Sequence, residues 1–151
     1  MSVAAETTLA TPLGPLLVRA DRQGILEVRF VRIPVKRRKS SAHLRSCVAQ
    51  LRAYFSGRRR KFRLGMHPQG TAFQQSVWRA AARVPFGATV TYGVLARRIR
   101  RPQAARAVGS ALKKNPLVIL IPCHRIVLSS GDVGSYAGGA RRKQWLLAHE
   151  Q

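Results

Sequence analysis

The apolar positions come first as short strand-like runs and then at helical spacing. Leu16-Leu17-Val18 is a short apolar run, Asp21-Arg22-Gln23-Gly24 has turn chemistry, and Ile25, Leu26, Val28 and Phe30 form a second run. Opened by Thr11-Pro12-Leu13-Gly14-Pro15 and ended by Pro34, residues 11–33 read as a hairpin. Leu44, Val48, Leu51 and Phe55 recur at i, i+4, i+7 and i+11, which predicts a helix over 42–55 stopped by Gly57. Residues 64–71 hold Gly65, Pro68 and Gly70 without helical periodicity, so a boundary falls there, between subdomains 1–65 and 66–151.

Beyond that boundary, Phe73, Val77, Trp78, Ala81 and Val84 predict a helix over 73–84, broken by Pro85-Phe86-Gly87. Thr91 is an N-cap candidate for a short helix over 92–99. After the break at Arg100-Arg101-Pro102, a further helix runs from about 103 to 114 and ends at Asn115-Pro116. Helix, short turn, helix is the outline of a helix-turn-helix. Leu117 to Ile121 is wholly apolar and bounded by Pro116 and Pro122, which predicts a buried strand or extended segment. Ser129-Ser130-Gly131-Asp132 opens a glycine-rich loop over 129–140, and a last helix over 140–149 carries Trp145, Leu146 and Leu147. There is no internal repeat.

Composition narrows the function. Of 151 residues 46% are hydrophobic, enough for a core, while 28 Lys and Arg against 5 Asp and Glu leave a net charge of +23. That charge disfavours a generic metabolic enzyme and favours a polyanionic partner. It is uneven: residues 1–35 hold four basic and three acidic side chains, and the rest of the chain has 24 basic and two acidic ones. Lys36-Arg37-Arg38-Lys39 reads as a solvated loop, with phosphate contact as the alternative. The excess of Arg over Lys fits phosphate forks and a GC-rich genome equally. Cys47 and Cys123 make no CxxC and no disulfide framework, and Met1 to Ala10 lacks the features of a signal peptide. No run approaches the ~18 apolar residues of a membrane span. The default compartment is reducing and intracellular.

Three places can carry chemistry. A lone cysteine is ordinarily a small buried hydrophobe, yet Cys123 sits between Pro122 and His124, and Arg125 adds positive charge that favours a thiolate. On an extended backbone His124 would point away from the sulfur, so it needs a bend or a bridging water to act on it. In the second helix of the helix-turn-helix, Ala104, Ala105, Ala107, Gly109, Ser110 and Ala111 are all small. Arg106, Ser110 and Lys113 share one face, and Ala105, Val108 and Leu112 another. A tightly packed core helix would look like this; with the surrounding charge, a helix whose backbone approaches DNA closely is preferred. Glu150, just past a helix end, is either a frayed terminus or an acceptor for a histidine N–H. His43 and Cys47 lie at i, i+4, but two ligands do not make a structural zinc site, so no metal is expected.

The blocks Phe73-Gln74-Gln75-Ser76-Val77-Trp78, Pro85-Phe86-Gly87, Thr91-Tyr92-Gly93, Arg106-Ala107-Val108-Gly109, Asn115-Pro116, Ile121-Pro122-Cys123-His124-Arg125-Ile126-Val127, Gly134-Ser135-Tyr136 and Trp145-Leu146-Leu147-Ala148-His149-Glu150 occur in this order. Together they resemble the O6-alkylguanine-DNA alkyltransferases, or methylated-DNA–protein-cysteine methyltransferases. Residues 8–63 fit more loosely, through the Pro-Leu-Gly hairpin and Tyr54-Phe55-Ser56-Gly57. The resemblance implies an α/β N-terminal subdomain, a small antiparallel sheet plus helix of ribonuclease H-like type. That subdomain would join a mainly helical C-terminal domain with a winged-helix-like helix-turn-helix.

The resemblance also implies direct reversal of DNA damage. Cys123 would take the alkyl group of O6-alkylguanine, and also of O4-alkylthymine, from a base flipped out of duplex DNA, once and irreversibly. His124 would accept the thiol proton through a water, Glu150 would orient His124, and Asn115 would hold the turn before the active-site segment. Arg106 would fill the vacated stack from a helix in the minor groove, with Ala105, Gly109, Ser110 and Lys113 close to DNA. Tyr92 would rotate and hydrogen-bond the nucleotide, Tyr136, Ala137 and Ile126 would line the base site, and Thr91, Gly93 and Ser129 would touch phosphates. No cofactor or metal is implied, and the protein would act as a monomer in the cytoplasm, off the membrane. Ala137 stands where some members have serine, leaving a backbone N–H for that contact, and Ser110 stands where glycine or asparagine is common. Rival readings are a lesion binder without repair, which Cys123 argues against, a plain DNA-binding regulator, and a Cys-His hydrolase, for which no oxyanion hole is evident.

Overall fold

The computed structural model describes residues 5–151. Residues 1–4, with the start of the N-terminal subdomain and of the segment read for a signal peptide, lie outside the described residues. The chain forms two compact units, Met1–Gln69 and Gly70–Gln151. Among the described residues no helix is long and apolar enough to cross a membrane.

The first unit is a three-stranded antiparallel sheet, order β1-β2-β3, with one helix. Strands β2 (Leu16–Ala20) and β3 (Ile25–Phe30) are the expected hairpin. Its turn is held by Asp21 Oδ1, which accepts from the backbone N–H groups of Gln23 and Gly24. β1 (Ala5–Leu9) was not expected; its sequence, AETTL, is too polar to announce a strand, and pairing of Leu9 with Leu16 and of Ala5 with Ala20 decides it. The basic run after the hairpin is not a free loop: Glu6 and Arg38 exchange both backbone hydrogen bonds at 2.9 Å, so the segment is fixed to the β1 edge while its side chains stay exposed.

Helix α1 spans Ala42–Phe55, with the Ser41 hydroxyl accepting from the Leu44 N–H at its start. The bounds match the spacing, but the buried stripe is Leu44, Cys47, Leu51 and Tyr54, so Val48 and Phe55 sit at its flank. The polar hydroxyphenyl is buried because its ring packs against Phe55 and Phe62, at centroid distances of 5.4 and 5.6 Å. Residues 65–67 return to the sheet: Ile25 N–H donates to Gly65 O and His67 N–H to Ile25 O, both at 2.8 Å. This pairing ties the segment to the first unit and carries that unit to Gln69.

In the second unit, Thr71 and Gln74 form a reciprocal capping box that starts α2 (Ala72–Ala82). The expected helix to residue 84 stops two residues early. Val84 precedes a proline, which disfavours the helical conformation there, and the last turn tightens to Arg83→Ala80 and Val84→Ala81 bonds. The short strand β4 (Val90–Thr91) leads into α3 (Tyr92–Arg98), where Thr91 Oγ1 accepts from the Val94 N–H as the N-cap. Helix α4 (Ala105–Lys113) buries Val108, Ala111 and Leu112, and Trp78 of α2 donates its indole N–H to Ala111 O at 2.9 Å. β5 (Ile126–Val127) pairs in parallel with β4, and α5 (Ala140–His149) closes the unit.

The apolar run 117–121 is buried, as expected, but it is not a strand. It folds back on itself: Ile121 N–H donates to Leu117 O and Leu120 N–H to Val118 O, both at 2.9 Å. Ile119 adopts φ +74, a conformation a β-branched side chain takes only when its surroundings enforce it.

Candidate active site

Asn115 explains the tight turn. Its Oδ1 accepts from Leu117 N–H and its Nδ2 donates to Ile121 O, both at 2.9 Å, so one buried amide clamps both ends of the apolar run. The same Nδ2 lies 3.1 Å from Cys123 Sγ and donates to it. Cys123 begins a single 3₁₀ turn, Cys123–Arg125, entered from Pro122. The bend brings three successive side chains into the protein interior, where an extended backbone would have sent His124 to the other side.

Cys123 is 3% exposed. Burial pushes its thiol up to about 11, against the pull of the Asn115 hydrogen bond and the Lys143 charge. The resting sulfur is therefore a neutral thiol at pH 7. His124 is fully buried, and its Nε2 lies 2.7 Å from Glu150 Oε2. Burial lowers its pKa below the ordinary imidazole value, with the Glu150 hydrogen bond opposing, so the ring is neutral. With Nε2–H donating to the carboxylate, Nδ1 holds the lone pair; it is buried and has no hydrogen-bond partner among the described residues.

Glu150 caps α5 and is 3% exposed, so it is not a frayed terminus. Its placement against the helix dipole is offset by two cationic hydrogen bonds: Arg125 Nε donates to Oε1 at 2.8 Å and Nη2 to Oε2 at 3.1 Å. Arg125 Nη1 also donates to Val84 O at 2.6 Å. Arg125, whose charge the sequence set beside the thiol, is thus ion-paired with Glu150. The Lys143 charge also acts on the thiol, lowering its pKa.

Lys143 is fully buried, and its Nζ donates to Ile126 O at 2.5 Å, Ser135 O at 3.1 Å and Tyr92 Oη at 3.3 Å. Burial lowers its pKa to about 8. Tyr92, the first residue of α3, donates its hydroxyl to Ser135 O at 3.3 Å, and its ring lies 5.5 Å below the Lys143 ammonium. Gly134 lets that ring approach: it has φ +75, and a Cβ there would sit 2.7 Å from Tyr92 Oη. Tyr136 is buried edge-on to His124, with centroids 6.4 Å apart.

This constellation makes a chain of matches interpretable. Residues 72–151 match the family model of the 6-O-methylguanine DNA methyltransferase DNA binding domain, and residues 5–68 match that of its ribonuclease-like domain. The chain belongs to the methylated-DNA–protein-cysteine methyltransferase family. The Methanosarcina acetivorans methylated-DNA–protein-cysteine methyltransferase is 38% identical over 146 residues, covering 93% of this chain and 94% of its own. The crystal structure of Mycobacterium tuberculosis O6-methylguanine methyltransferase superposes with a TM-score of 0.88 at 36% identity, covering 99% of this chain and 93% of that one. The Mycobacterium tuberculosis OGT solved in complex with DNA gives a TM-score of 0.86 at 37% identity, covering 96% and 91%. The two-part fold expected from the sequence is thus the family's fold.

Within this family fold the predicted residues fall into three groups. Cys123, His124, Asn115, Glu150, Tyr136 and Ile126 are buried together with half-buried Tyr92. On α4, Arg106, Ser110 and Lys113 are exposed, while Ala105 and Gly109 are half-buried and Gly109 lies beside the Tyr92 ring. Ser129 and Ala137 are exposed loop residues, Gly93 is half-buried, and the Thr91 hydroxyl is engaged as an N-cap acceptor but keeps its proton to donate. Sequence reasoning missed Lys143. Its signal was phase: Lys143, Leu146 and Glu150 recur at i, i+3 and i+7, placing the lysine on the buried face of α5.

Proposed function

We propose that this protein repairs DNA by direct reversal, moving the alkyl group of O6-alkylguanine in duplex DNA onto Cys123. O4-alkylthymine is a second substrate of the same chemistry. The observation that carries the reading is a neutral Cys123 thiol, hydrogen-bonded by Asn115, in one 3₁₀ turn with a neutral His124 whose Nε2 faces Glu150. A thiol held near 11 needs a base to become a nucleophile. His124 Nδ1 takes the proton through a water, and Glu150 stabilises the imidazolium that forms. The sulfur lone pair then forms the S–C bond, the C–O6 bond breaks, and its electron pair leaves with the base. Asn115 and Lys143 lower the cost of negative charge on sulfur while it lasts.

Reaching a buried sulfur requires the nucleotide to leave the helix, at a cost of a few kcal/mol that is smaller for a weakly paired lesion. Arg106, exposed on α4, fills the gap in the stack. Ala105, Gly109 and Ser110 let the helix come close, and Lys113, Thr91, Gly93 and Ser129 meet phosphates. Tyr92 hydrogen-bonds the base, and Lys143 positions the Tyr92 hydroxyl. Tyr136, Ile126 and the backbone at Ala137 line the base site. The product is a thioether with no second nucleophile to release it, so each molecule acts once, as a monomer in the cytoplasm without cofactor or metal.

The test is intact-protein mass after incubation with a duplex carrying one O6-methylguanine, with Cys123→Ala in parallel. A gain of about 14 Da, one CH₂, that the variant lacks supports transfer to Cys123. Tight lesion binding without that gain would sink it.

A further inference from the structure

A second basic feature lies wholly within the first unit. Thr7 of β1, Arg37, Ser40, and Arg45, Val48 and Arg52 of α1 line a cleft of about 320 Å³. Arg45, Val48 and Arg52 recur at i, i+3 and i+7, so they share one face of the helix. Arg37 is placed by the backbone exchange between Glu6 and Arg38, and Arg45 Nη1 donates to Ser40 Oγ at 3.1 Å. The cleft is therefore set by sheet edge and helix.

None of these three guanidinium groups has a carboxylate partner among the described residues. The acids of this unit are taken elsewhere: Glu6 and Glu27 by Arg19, Glu27 also by Arg29, and Asp21 by the backbone N–H groups of its own turn. Residues 36–63 contain eleven Lys and Arg and no Asp or Glu, so no neighbour along the chain relieves the repulsion. Like charges gathered on a concave surface with neutral hydroxyl donors favour a bound anion, and guanidinium forks suit phosphate. The rise from Arg45 to Arg52 is about 10 Å along the helix. One phosphate cannot satisfy both ends, whereas a strand that advances ~3.4 Å per nucleotide can.

We propose that this cleft binds the phosphate backbone of duplex DNA, a second DNA surface on the unit that does not hold Cys123. The proposal rests on the reading of the chain as a protein that acts on DNA. It accounts for a charge otherwise without use: the first unit carries fifteen Lys and Arg against three acids, as strong an excess as the thirteen against two of the second.

The experiment compares full-length wild type, Arg37→Gln/Arg45→Gln/Arg52→Gln, and Arg58→Gln/Arg59→Gln/Arg60→Gln. The last removes equal charge from a neighbouring loop. Affinity for undamaged duplex is measured against salt concentration, and the mass gain is measured with saturating lesion-bearing duplex. The cleft variant is expected to bind undamaged duplex more weakly, with a log–log salt slope shallower by about 2 to 3, ~0.9 for each phosphate lost. Its mass gain should be complete, and the loop variant should shift the slope by less than half as much. An unchanged slope in the cleft variant overturns the proposal, as do equal shifts in both variants, which would mean a diffuse field without a site. Poly-glutamate competing as well as duplex, charge for charge, assigns the cleft to acidic protein and also overturns it. Absence of mass gain in wild type would refute the proposed repair activity instead, and leaves the slope comparison to decide the cleft.

Discussion

Replacing Glu150 with glutamine tests whether the buried ion cluster is structural, chemical or both. Oε1 accepts from Arg125 Nε, and Oε2 accepts from both His124 Nε2 and Arg125 Nη2. Either orientation of a glutamine amide turns its NH₂ against a guanidinium N–H. The Arg125 charge is left without a counter-charge in a site where arginine and glutamate are both buried. Breaking one side of such a pair costs about 3–5 kcal/mol. Because the glutamine carbonyl still accepts one of these bonds, the expected loss is near the low end, about 3 kcal/mol, read as a lowered urea midpoint at unchanged m-value. The amide also stabilises imidazolium less, so single-turnover transfer, followed by mass, should slow by about 10² or more. The double variant Arg125→Met/Glu150→Met separates the effects. Removing both charges restores most of the stability, as hydrophobic replacement of buried pairs commonly does, while the rate stays low because His124 still lacks its carboxylate. A loss under about 1 kcal/mol in Glu150→Gln, or recovery of rate together with stability in the double variant, would refute the argument.

Two further outcomes are expected. Gly134→Ala forces a left-handed φ on alanine, costing about 1–2 kcal/mol, and its Cβ displaces Tyr92 from Ser135 and Lys143; transfer should slow while affinity for undamaged duplex stays within about twofold, and an unchanged rate would show that Tyr92 placement is immaterial. Cys47 is buried with its thiol pushed up to about 12 from an ordinary 9.0, so the unfolded chain releases that proton first and stability falls as pH rises above 9. Wild type should thus lose about 1.4 kcal/mol more than Cys47→Ala between pH 8 and pH 10 under reducing conditions, by urea midpoints, and equal losses would count against burial as the cause.

Much was legible where neighbours along the chain supply the cause. The α1 bounds follow from apolar spacing and the stop at Gly57, and the Thr91 cap and the Asp21 turn need only residues two or three positions away. The order of short motif blocks around Cys123 was enough to indicate the family and its chemistry. Elements that depend on a distant partner were not legible. β1 is a strand because β2 lies beside it, and residues 117–121, apolar enough for a strand, become a turn because the Asn115 side chain clamps both ends.

The site divides in the same way. The sequence alone put Cys123, His124 and Arg125 side by side and nominated Glu150 as an acceptor for a histidine N–H. Only the folded chain decided that Arg125 turns to Glu150, 25 residues on, and that Lys143, on the buried face of α5, acts on the sulfur. Spacing along the chain records which side of an element a residue occupies. It does not record what lies opposite, and in a low-dielectric interior the opposite group decides whether a charge is neutralised or acts on its neighbours.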